Sequence, residues 1–127
     1  MKVFISWSRQ TSNEIASCLR DILPLALMRV KFWMSAKDIS PGLQWSQEIR
    51  RNLSESTVGI ICLTSENLHS SWIYYESGAL SHAIGTNLVI PYLYNISPSD
   101  LRGPLEHFHA VPADEDGTKK LFQSINN

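Results

Sequence analysis

Thr57-Val58-Gly59-Ile60-Ile61-Cys62-Leu63 decides the reading of this chain. It is apolar at nearly every position, with β-branched residues prominent, and a polar turn follows at Thr64 to Asn67. A strand with one wet face alternates apolar and polar side chains; one that is apolar throughout is covered on both faces, as in parallel sheets packed between helices. Working outward, Val3-Phe4-Ile5, Val30 to Met34, Leu88 to Tyr94 and Phe108 to Val111 read as further strands. Between and after them lie longer amphipathic stretches. Thr11 to Leu23 carries an apolar stripe at Ile15, Ala16, Leu19, Ile22 and Leu23, with Thr11 and Glu14 at capping-box spacing. Trp45, Ile49 and Leu53 stripe a second helix, Ser71 to Ile84 forms a third, a short helix lies near Ser99, and a last helix starts at Asp114. Strand–helix alternation predicts an α/β fold: a flavodoxin-like three-layer sandwich, with a five-stranded parallel sheet in the order 2-1-3-4-5 and helices on both faces.

Composition narrows the function. The chain has 127 residues, 43% apolar and 18% charged, which is ordinary for one folded domain with a real core. The net charge of −1 comes without a basic stripe, so nucleic acid is not expected as a direct partner. No run approaches the roughly 18 apolar residues of a membrane span, and a cytoplasmic setting is expected. Cys18 and Cys62 show no metal-binding spacing and are read as two reduced, buried thiols. There is no GxGxxG after the first strand and no P-loop. His107 and His109 share one face of a strand without further ligands nearby, so no metal is expected.

The ligand crevice of such a fold lies beyond the carboxyl ends of the strands. Ser6 to Arg9, Ser35 to Asp38 and Thr64 to Asn67 fall around that mouth. A guanidinium pairs well with phosphate, so an exposed Trp7 beside Arg9 is a candidate hold for a phosphate-bearing ligand. The third helix holds the most informative acid. Glu76 has Trp72, Ile73, Ala79 and Leu80 three and four residues away, all apolar. A carboxylate in such a stripe must be paired or line a cavity, and desolvation raises its pKa, a frequent condition of working groups. Trp72, one turn earlier, offers an aromatic face to a flat ligand.

Three boxes in order resemble the TIR (Toll/interleukin-1 receptor) domains. Phe4-Ile5-Ser6-Trp7-Ser8 resembles their first box, and Lys37-Asp38-Ile39-Ser40-Pro41-Gly42 their second, with Lys37 where Arg is commoner. Trp72-Ile73-Tyr74-Tyr75-Glu76 resembles the Trp-x-x-x-Glu motif of TIR domains that cleave NAD. The stretches Trp72 to Ala83, Ser99 to Leu105 and Phe108 to Ala110 resemble bacterial TIR effector domains of anti-phage defence proteins.

The resemblance implies an NAD glycohydrolase releasing nicotinamide and either ADP-ribose or a cyclic form. NAD is the substrate and no separate cofactor is implied. Glu76 would be the catalytic carboxylate. Ser6, Trp7, Ser8, Arg9, Trp33, Lys37, Asp38 and Trp72 would bind substrate, with Trp72 and Trp33 around the nicotinamide. Asp38, Ser40, Pro41 and Gly42 would also serve self-association. The resemblance implies partners as well: NAD, further copies of the chain stacked so as to complete the site, and a fused or associated sensor that triggers stacking. Residues 1–127 are read as a single TIR domain excised from a longer chain, with a sensor or regulatory module expected after it. Two other readings share the fold. One is a non-enzymatic TIR adaptor working by homotypic association, which has no need of an acid in an apolar stripe. The other is a base-exchange enzyme using the same pocket.

Overall fold

The computed structural model describes residues 2–34, 55–68, 88–101 and 108–126. At its centre, β3 (Val58–Leu63) is buried at all six positions. It pairs in parallel with β1 (Lys2–Ser6) on one side and with β4 (Leu88–Leu93) on the other. The edge strands β2 (Lys31–Met34) and β5 (Val111–Pro112) complete a five-stranded sheet in the order β2-β1-β3-β4-β5, every pair parallel. This is the predicted α/β order. It follows from strands that have no wet face and must be covered twice.

Side-chain alternation splits the core in two. On one face Val3, Ile5, Val58, Ile60, Cys62, Ile90 and Tyr92 meet Ala16, Leu19 and Leu23 of helix α1 (Gln10–Ala26). Leu121 and Ile125 of helix α2 (Glu115–Asn126) join the same cluster. On the other face Phe4, Ile61, Leu63, Val89 and Leu93 pack with Leu68 and Leu101. Burying a side chain of this size stabilises the fold by about 1.5–3 kcal/mol relative to leaving it exposed.

Several local expectations shift. The helix begins at Gln10, not Thr11, and Arg9 stands at its N-cap without a side-chain cap bond. The capping box of Thr11 and Glu14 does not form: the Thr11 N–H is inside the helix and donates to the Glu66 carboxylate at 3.3 Å. A tertiary acceptor has replaced a local one. Ile22 belongs to the predicted stripe but is 45% exposed, because it lies about a quarter-turn from the line Ser12, Ala16, Leu19, Leu23. The helix also runs past Leu23 through Pro24 to Ala26. Proline forfeits one helical hydrogen bond, yet buried Leu23 and Leu27 anchor the turn on both sides of it, and the Leu27 N–H reaches the Leu23 carbonyl at 2.8 Å. The last strand pairs at Val111 and Pro112 rather than over Phe108 to Val111; Phe108 and Ala110 pack against the second core face instead. The helices predicted around Trp45 and over Ser71 to Ile84 lie outside the described residues.

The acidic run Asp114-Glu115-Asp116 starts α2 as its sequence requires. The Asp114 carboxylate accepts the Gly117 N–H at 2.7 Å, and Glu115 and Asp116 occupy the first turn, where the helix dipole favours negative charge. Gly117 is buried directly against the Pro112 carbonyl oxygen, and a Cβ there would collide with it. Helix propensity favours Ala over Gly by about 1 kcal/mol, but the obstacle is backbone and cannot rotate away. Gly117→Ala is therefore expected to destabilise the domain by about 1–3 kcal/mol, read as a lower urea midpoint with an unchanged slope.

Candidate functional site

In this strand order, the chain moves one way from β1 to β2 and the opposite way from β3 to β4. The direction reverses between β1 and β3, and the crevice beyond their carboxyl ends is where such sheets bind ligands. Two segments meet there. Ser6 to Arg9 leaves β1 for α1, and Thr64 to Asn67 leaves β3 in a turn.

Buried polar groups weld these segments together. Asn67, fully buried, donates from Nδ2 to the Ser8 carbonyl at 2.9 Å and to the Cys62 carbonyl at 3.2 Å. Its Oδ1 accepts the Thr64 N–H at 2.9 Å. Ser12, also fully buried, accepts the Ser8 N–H at 3.2 Å and donates its hydroxyl to the same Cys62 carbonyl at 2.8 Å. Thr64 Oγ1 is buried and has no hydrogen-bond partner among the described residues.

Four of the predicted binding residues lie at this crevice, in different settings. Ser6 and Ser8 are buried at the end of β1. Trp7 is not the exposed ring expected: it is 8% exposed and packed in the core cluster beneath α1, because the alternation of Val3 and Ile5 carries on to it. It anchors the loop from below. Arg9 is exposed, at φ 72° and ψ 165°, a backbone region that glycine favours and that costs another residue about 1–3 kcal/mol. Trp33 stacks on Phe4 with ring centroids 5.0 Å apart, on the sheet face opposite Trp7. Leu68, where the turn after β3 ends, packs on that same face. Lys37, Asp38, Ser40, Pro41, Gly42, Trp72 and Glu76 lie outside the described residues. Sequence reading placed Thr64 to Asn67 at the mouth but missed the tie that Asn67 and Ser12 make. The available signal was an Asn at the close of a polar turn directly after a buried strand.

A family model described as TIR domain matches residues 3–122. The chain belongs to the TIR domain family. Among solved structures, this TIR domain is similar to the TIR domains in the structure of the activated Roq1 resistosome directly recognizing the pathogen effector XopQ, with a TM-score of 0.55 and 19% identity. The match covers 77% of this chain and 60% of that one, so the present chain spans less than two thirds of that relative's length. At this identity the likeness concerns the fold. A comparison with curated proteins finds no match.

Cys62 is buried and desolvation pushes its thiol far above the usual range, so it is no nucleophile. Cys18, expected to be buried, is exposed on α1, because it falls between the core positions Ala16 and Leu19. His109 is exposed and outside any strand, and no cluster of three metal-ligating side chains occurs among the described residues. No described helix is long and apolar enough to cross a membrane.

Two outcomes follow from these contacts. Ser12→Ala removes the hydroxyl that serves both the Ser8 N–H and the Cys62 carbonyl. It is expected to lower stability by about 1–3 kcal/mol, seen as a reduced melting temperature. In the native protein at pH 8, a thiol reagent should label Cys18 within minutes and leave Cys62 untouched until denaturant is added; mass spectrometry of the labelled peptides reads the difference.

Proposed function

We propose that this TIR domain is an NAD glycohydrolase, a bacterial immune effector module that works when copies of it assemble. The observation that carries the reading is Glu76, an acid with apolar residues three and four positions away in the sequence: Trp72, Ile73, Ala79 and Leu80. The crevice between β1 and β3 supports it. Ser6 to Arg9 forms one wall and Thr64 to Asn67 the other, and the segment bearing Glu76 begins directly after Leu68. Assembly is supported by the likeness to TIR domains of an activated resistosome. A fused or associated sensor would supply the trigger, with Asp38, Ser40, Pro41 and Gly42 at the contact between copies.

The chemistry asks little of an acid catalyst. Nicotinamide leaves NAD as a neutral ring, taking the electron pair of the bond to ribose C1′. The ribose left behind has oxocarbenium character, and a nearby carboxylate stabilises that positive charge. Water then bonds to C1′ and releases a proton, giving ADP-ribose. Attack by an adenine nitrogen gives the cyclic form instead. In this scheme Glu76 stabilises the ribosyl cation, Trp72 and Trp33 flank the nicotinamide, Lys37 and Asp38 complete the pocket, and Ser6, Ser8 and Arg9 hold the diphosphate.

The test is nicotinamide release from NAD by the domain fused to an oligomerising scaffold, with chromatography of the products. Glu76→Gln preserves shape and removes charge; it is expected to lower kcat about a hundred- to a thousandfold, the scale of a lost electrostatic stabiliser. Undiminished release would remove Glu76 from the mechanism. An assembled wild-type domain that releases none would leave an adaptor acting by association alone, and exchange of the nicotinamide for another base would favour the transfer reading.

A further inference from the structure

We propose that Asn67 is the positioning residue of this crevice: it holds Ser8, and through Ser8 keeps Arg9 in the conformation that brings its guanidinium to a ligand's phosphates. The ligand in this statement rests on the NAD reading above; the hold itself does not.

The case begins with strain. Arg9 occupies φ 72°, ψ 165°, where a residue with a side chain persists only if its surroundings over-determine it. The backbone is held on both sides of its Cα. Downstream, the Arg9 carbonyl is fixed as the first acceptor of α1 by the Asn13 N–H at 3.0 Å. Upstream, Ser8 has its N–H bound by Ser12 and its carbonyl by Asn67, so both of its backbone polar groups are held by buried side chains. Arg9 must turn between two fixed points.

Asn67 does more than close its own turn. A turn-former needs only the Oδ1 contact to the Thr64 N–H and the Asn67 N–H to the Thr64 carbonyl, at 2.9 and 3.3 Å. The Nδ2 group instead reaches across the switch point to Ser8, which is 59 residues away in sequence. One side chain therefore sets both walls of the crevice. A change at Asn67 is felt at Arg9, which it does not have to touch.

Asn67→Asp isolates this function. It keeps an oxygen for the Thr64 N–H but replaces the donor with an acceptor facing two carbonyls. Without NAD, amide hydrogen exchange in the variant should speed at least about tenfold at Ser8, by loss of about one buried hydrogen bond, while Ile60 and Ile90 in the central strands keep their protection. In the assembled domain, KM for NAD should rise about three- to tenfold with kcat within about twofold, because a binding contact is lost rather than a transition-state one. In an Arg9→Gly background the same change should leave KM where Arg9→Gly alone puts it. Unchanged exchange at Ser8, protection lost equally in all strands, or the same KM increase in both backgrounds would each overturn the proposal. If Asn67→Asp does not fold, Arg9→Gly decides alone: relief of strain should raise the melting temperature while KM rises, and a lower melting temperature overturns it. A wild-type domain that releases no nicotinamide sinks the NAD reading, and amide exchange still decides the hold on Ser8.

Discussion

The structure depends on β3 being out of water on both faces while paired on both edges. A strand in that position cannot satisfy its backbone except through β1 and β4, and cannot bury its side chains except under two layers. Once it is central, the rest is constrained. Connections between parallel strands must cross over a face, so polar loops collect at the two ends of the sheet. The first strand sits next to the centre with β2 outside it, and this places the reversal of chain direction between β1 and β3. The crevice is a consequence of burying Val58 to Leu63.

That crevice is assembled from polar groups that water cannot reach. Ser8, Ser12, Thr64 and Asn67 are each at most 2% exposed, and leaving a buried amide or carbonyl unpaired costs about 1–3 kcal/mol. The side chains of Asn67 and Ser12 meet that demand for Ser8, Cys62 and Thr64 together. Rigidity here is the by-product of polar satisfaction. It permits an arginine to sit where glycine would be easier, at the head of a helix whose local cap is absent. Trp7 adds the apolar half of the same anchor, turned into the core beneath the loop. The Thr64 hydroxyl, by contrast, has no hydrogen-bond partner among the described residues.

Much of the architecture was legible in the chain because it rests on short-range pattern. Apolar runs at Val3 to Ile5, Val58 to Leu63 and Leu88 to Leu93 announce covered strands, and their alternation with amphipathic stretches leaves few sheet orders open. The acidic start of α2 was equally local, since Asp114 caps the turn it begins. Side-chain fates that depend on distant partners were not legible. Thr11 gave up its capping box to Glu66, 55 residues on. The stretch after Leu23 stayed helical through Pro24 because Leu27 is buried. Trp7 read as a surface ring because its neighbours Ser6, Ser8 and Arg9 are polar; the core beneath α1 claimed it.

By itself, then, the sequence determined the fold class, the strand order, the membership of the TIR family and the acid at Glu76 with its apolar neighbours, since periodicity and motif are properties of nearby residues. Only the tertiary structure decided that Asn67 and Ser12 tie β1 to β3, that Arg9 is strained and that Cys18 faces outward while Cys62 does not. Those outcomes turn on which backbone groups are stripped of water when separate segments meet, and no segment carries that information alone.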